Sequence, residues 1–201
     1  MLRIPNQKGQ SLLELLVALS ILVVALTATI VLIVTSINAG REARNKLVAT
    51  SLAREGIEIV RNIRDSNWID TTDPSWDDGL IGDNTATPVI DGTNPVTLNF
   101  SDNNFTVIKL DNNAYLQGST APDTDTQFYR LLYLNPICQD SSNSEVIVDQ
   151  NDDFTCGQSG TPVEFYPNKV GLRVISEVHW PAADSNKKVI IEDRLYDWQV
   201  L

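Results

Sequence analysis

From Leu15 to Val34 the chain runs for twenty residues without a charged side chain, and nowhere later does it sustain such a stretch. At 1.5 Å per residue, a helix of that length spans roughly 30 Å, the thickness of a bilayer's hydrocarbon core. The pattern then turns amphipathic instead of stopping. Leu47, Val48, Leu52, Gly56, Ile59, Val60 and Ile63 recur at helical spacing, with Arg44, Arg54, Glu55, Glu58, Arg61 and Arg64 elsewhere around the wheel. One helix from about Ser11 to Asp65 is expected, first in lipid and then half buried against a sheet. Gly40 is its weak point, costing about 1 kcal/mol relative to alanine. A break there would leave an independent second helix.

Residues 66–95 are punctuated by Asp73-Pro74, Asp77-Asp78-Gly79, Gly82-Asp83-Asn84, Asp91-Gly92 and Asn94-Pro95. Such dipeptides favour turns, so a long connecting loop with little regular structure is expected. Period-two alternation follows. In VTLNF, Val96, Leu98 and Phe100 share a face, and FTVIKL runs on from a turn at Ser101–Asn104. FYRLLYLN, residues 128–135, is apolar on both faces, as a central strand would be. In KVGLRVISEVHW, Val170, Leu172, Val174, Val178 and Trp180 oppose Lys169, Arg173, Glu177 and His179. The loop PAADSNK then leads to VIIEDRLYDW, closing a hairpin near the C-terminus. The expected class is α+β: a long N-terminal helix packed on an antiparallel β-sheet head.

Charge sharpens this division. The formal net charge of the 201 residues is −11, yet Arg41–Arg64 is basic, with Arg41, Arg44, Lys46, Arg54, Arg61 and Arg64 against Glu42, Glu55 and Glu58. An acidic head argues against nucleic acid as a partner, because phosphate binding needs a basic face. It suits solubility and repulsion between crowded copies. Cys138 and Cys156 are too far apart for a CxxC motif and have no histidine near enough for zinc. Outside the cytoplasm they would form a disulfide closing a loop of about 17 residues, worth roughly 3 kcal/mol. Two buried free thiols are the alternative.

The extreme N-terminus, MLRIPNQKG, is short and polar, carries Arg3 and Lys8, and precedes the apolar run. A secretory signal peptide would be cut behind its apolar core, and no small-residue site followed by a soluble chain lies there. Two readings remain. One is an uncleaved signal anchor with its basic tip in the cytoplasm. The other is cleavage between Gly9 and Gln10, leaving a chain that begins QSLLE with Glu14 as its fifth residue. A basic residue, a glycine, a glutamate five residues on and an unbroken apolar helix together resemble the class III signal of type IV pilin-like proteins. The mature chain would start with glutamine instead of the commoner phenylalanine. Val31 stands where the family often has a helix-kinking proline. Both departures lean toward minor pilins and pseudopilins.

That resemblance implies several things. A prepilin peptidase would cut after Gly9, with Lys8, Gly9 and Gln10 forming the processing site and Gln10 the methylated terminus. Glu14 would be the assembly carboxylate, pairing with the terminal amine of a neighbouring subunit. Residues 1–9 would be the leader, 10–37 the transmembrane and assembly helix, 38–65 its amphipathic continuation, and 66–201 the variable loop and β head. Partners would be other pilin-like subunits, the peptidase, an inner-membrane assembly platform and, before assembly, membrane lipid. The chain would sit in the inner membrane, N-terminus cytoplasmic, and then in an extracellular or periplasmic filament such as a type IV pilus or a type II secretion pseudopilus.

Nothing in the sequence advertises catalysis. There is no phosphate-cradling glycine loop and no HExxH, and the single histidine, His179, sits on a strand beside Trp180. An enzyme is not expected, nor is a cofactor. Metal is a weaker question: Asp70, Asp73, Asp77 and Asp78 crowd one loop, and Asp149, Asn151, Asp152 and Asp153 another, without EF-hand spacing. These are weak calcium candidates beside a reading of solvated loops. The rival to a filament subunit is a signal-anchored surface binding module or adhesin that never polymerises, with a membrane-tethered hydrolase third.

Overall fold

The computed structural model describes residues 12–70, 72, 75–82, 85–90, 96–100, 104–111, 114–118, 124–148, 156–161, 164–181 and 186–198. The chain forms two compact units, residues 1–45 and 46–201. One helix, α1 (Leu12–Ile69), passes from the first into the second and runs through Gly40 without interruption.

In the first unit the described residues are all helical, and the large apolar side chains from Leu12 to Ile37 are at least half exposed. Four of its hydroxyls bond back to the helix itself. The hydroxyls of Ser20, Thr27, Thr29 and Thr35 donate to the carbonyls of Leu16, Val24, Ala25 and Leu32 at 2.7–3.0 Å. A hydroxyl bonded to its own helix asks nothing of lipid, so these residues do not interrupt the apolar surface.

In the second unit α1 buries Ala49, Leu52, Ala53, Gly56, Ile57 and Val60, one stripe at helical spacing. The helix ends where Asp70 N–H donates to Ser66 O at 3.1 Å. The Asp70 carboxylate then accepts from both the N–H and the hydroxyl of Thr72, each at 2.9 Å, turning the chain.

Eight strands follow: β1 (Thr85–Val89), β2 (Thr97–Asn99), β3 (Thr106–Asp111), β4 (Ala114–Gln117), β5 (Thr124–Gln139), β6 (Glu145–Ile147), β7 (Asn168–Pro181) and β8 (Asn186–Tyr196). All pairings are antiparallel. β5 is the spine, with β7 along one side and β3, β1 and β6 in succession along the other. β2 extends β1, β4 extends β3, and β8 extends β7.

The α+β expectation and the central place of FYRLLYLN both hold. The 66–95 segment departs from expectation, because β1 forms inside it. Pro88 disguises that strand. Thr85 and Ala86 pair with β5, whereas Thr87, Pro88 and Val89 pair with β2, so the residue lacking an N–H lies in the half of β1 that has left the spine. β4 and β6, four and three residues long, also carried too short a pattern to announce themselves.

The core lies between α1 and one sheet face. Ala49, Leu52 and Ala53 pack with Ile108, Phe128, Val178 and Trp180, while Ile57 and Val60 pack with Leu132, Leu134, Leu172, Val174 and Leu195. As α1 advances, β5 and β8 numbers rise and β7 numbers fall, so the helix runs in the direction of β5 and β8. Gly56 sets the closeness of this contact. A Cβ built there would stand 2.5 Å from Ser176 Oγ and 2.9 Å from Leu132 Cδ2. Helix backbone and sheet meet where both sequences are small.

Candidate assembly site

Glu14 occupies the first turn of α1, exposed, with 26 uncharged residues, 15–40, following it. The acidic end faces the positive pole of the helix, which favours a carboxylate there. A charge that close to a helix end costs less in a bilayer than the ~2.5–3.5 kcal/mol it costs at the centre. By length and composition α1 can cross a membrane. Lys8, Gly9 and Gln10 lie outside the described residues.

The helix is tied to the sheet by a charged group that sequence reading overlooked. Arg130, on β5, is fully buried. Its Nε donates to Gln117 Oε1 at 2.7 Å, and its Nη1 to Leu52 O at 2.9 Å and Glu55 Oε2 at 3.0 Å. Gln117 is held in turn by donating to Arg130 O at 3.0 Å and to Thr106 Oγ1. Burial pulls the Arg130 pKa below its ordinary value, and the Glu55 carboxylate opposes that pull. Nη2 has no partner among the described residues. An arginine in an apolar strand gives one clue in the sequence: at position 130 it falls on the face shared by Phe128, Leu132 and Leu134, where a charge demands a partner.

Cys138 and Cys156 form a disulfide, with Cα atoms 5.4 Å apart, against Val146, Val148 and Tyr166. It joins the end of β5 to the segment preceding β7. Replacing both cysteines by serine is expected to lower stability by about 3 kcal/mol on the chain-entropy account, read as a drop in melting temperature of the full chain. An unchanged melting temperature would assign the bridge no stabilising role.

Of the acidic candidates, Asp70, Asp77 and Asp78 are among the described residues. Asp77 is buried, and its two oxygens accept from Lys169 Nζ at 2.6 Å and from the Ser75 hydroxyl. Burial would raise its pKa, but the ammonium and the hydroxyl outweigh it and hold the carboxyl below its usual value. Asp77 thus serves as an ion-pair anchor for the loop before β1. Among the described residues no three metal-ligating side chains gather. Asp73, Asp149, Asn151, Asp152 and Asp153 lie outside them.

His179 is stacked on Phe105 with ring centroids 4.0 Å apart and stands 5.5 Å from Tyr129. Burial lowers its pKa, and Lys188 lowers it further against Glu177. These neighbours make it part of an aromatic cluster on the outer sheet face. At the end of α1, Arg64 lies 4.6 Å over the Trp68 ring, and Trp68 meets Trp198 edge-on at 5.0 Å. This fastens the chain beyond β8 to the helix terminus.

Residues 4–30 match the family described as "Prokaryotic N-terminal methylation motif". No curated protein and no solved structure matches the chain. The matched span covers Lys8, Gly9, Glu14 and most of the apolar run.

Proposed function

We propose, on the premise that a chain bearing this methylation motif on an α+β head is a type IV pilin-like protein, that it is a minor pilin or pseudopilin acting by assembly. The observation that carries the reading is the motif over residues 4–30 opening a helix of 58 residues with one carboxylate at its start. In this reading prepilin peptidase removes residues 1–9 and the amine of Gln10 is methylated. Before assembly the apolar helix rests in the inner membrane with its N-terminus cytoplasmic. The assembly platform then moves it into a filament, extracellular or periplasmic, where like helices replace lipid and the Glu14 carboxylate meets a neighbour's terminal amine. The transfer exchanges one apolar environment for another, so hydrophobic burial is kept throughout. The hydroxyls bonded within α1 support this, because they require no new partner in either setting. The pilin-like family is one of structural subunits.

Mass spectrometry of the chain from its native membrane tests the reading. The expected mass is that of a chain starting at Gln10 and carrying one added methyl group. A chain that retains Met1 would instead favour the signal-anchored binding module.

A further inference from the structure

β8 forms one edge of the sheet: among the described residues it pairs with β7 and with nothing else. It is eleven residues long, contains no proline or glycine, and its register with β7 shows no bulge. A long flat edge presents unpaired N–H and C=O groups and invites another strand, and proteins usually blunt such edges with lysines. Here the lysines are matched. The strand reads Lys187-Lys188-Val189-Ile190-Ile191-Glu192-Asp193. Laid antiparallel on a second copy and centred on Ile190, it sets Lys188 opposite Glu192 and Lys187 opposite Asp193, each twice, with Ile190 against itself. Each of these four charges meets its opposite, while Arg194 falls opposite the neutral Asn186. The same lysines that repel an unrelated strand accept this one.

Side-chain placement agrees. In register with β7, Lys188, Ile190 and Glu192 stand opposite His179, Glu177 and Ile175, so they share the sheet face turned away from α1. Ile190 is 50% exposed, and Lys188 and Glu192 are exposed as well. Lys188 already touches Glu177 at 3.2 Å, and Asp193, on the inner face, is held by Arg61 at 2.6 Å. These contacts fix two of the charges in place for a partner.

The geometry points to β8 as a homotypic docking edge, joining two copies of this chain into one continuous sheet through a two-fold contact. Such a contact is isologous and closes on itself. Its symmetry has a further implication. Residues 46–69 of α1 run in the direction of β8, so the two stems enter the joined sheet from opposite ends. Neighbours within one filament share a direction and cannot meet in this way. The contact therefore belongs between chains held in different filaments or on facing surfaces, and it is independent of polymerisation through Glu14.

The test uses the full chain in detergent micelles with Cys138–Cys156 intact. Ile190→Cys is oxidised and the yield of covalent dimer compared with that of Thr97→Cys, an exposed position on β2. The 190 dimer is expected in excess by about fivefold or more, the scale of several cross-strand pairs acting together. Adding Glu192→Lys to Ile190→Cys places lysine opposite lysine and is expected to abolish that excess. Raising salt to about 1 M, where the Debye length falls to ~3 Å, should return part of it. Equal yields at 190 and 97, or a Glu192→Lys variant that crosslinks undiminished, would overturn the proposal. Neither outcome bears on leader removal or filament formation, which are read separately.

Discussion

In Glu14→Ala, filament yield is expected to fall by about tenfold or more while the amount of chain in the membrane stays level or rises. Both directions come from the same carboxylate. In lipid it is a cost, smaller than the ~2.5–3.5 kcal/mol of a central charge because it lies in the first turn. In the proposed filament it would find a counter-charge, so removing it would relieve the donor state and deprive the product. Glu14→Gln, of the same size without the charge, should fail equally, which separates electrostatics from packing. Sheared filaments quantified against the membrane fraction give the measurement. Normal assembly of Glu14→Ala would refute the proposed role.

The second large effect concerns the head. Glu55→Ala is expected to cost about 2–3 kcal/mol, because it strands the buried Arg130 guanidinium without its carboxylate. The figure sits at or below the lower end for broken buried pairs, since the Glu55 side chain is 41% exposed and water reaches that side of the pair. Arg130→Met should cost less. It withdraws the charge itself, leaving Glu55 hydrated and filling much of the volume with an apolar chain. Chemical denaturation of the two variants decides the order. If Arg130→Met proved the more damaging, the hydrogen bonds to Leu52 O and Gln117, and not the charge, would govern this junction.

Much of this architecture was legible because its signals were long. The uncharged run fixes a membrane-length helix, the stem repeats at 3.6 residues, and β5, β7 and β8 extend over 16, 14 and 11 residues. What escaped was short or bipartite. β1 contains a proline and divides its five residues between two partners, so neither half carries a pattern. The Arg130 tie joins residues 75 and 78 positions apart, a distance at which periodicity is silent. Asp77 reads as one of several loop acids, and only the fold brings Lys169, 92 residues away, to its side. For Glu14, the proposed assembly carboxylate, the position is reversed: it stands out in the sequence because its surroundings are so uniformly apolar.

The direction of α1 along β5 bears on how the head responds to traction. Tension drawn through the stem reaches the sheet parallel to its strands. The contacts of α1 with β5, β7 and β8, from Ala49 to Val60, then share the load as a group. A tug perpendicular to the strands would part them one after another. A head loaded in shear is the arrangement that yields last.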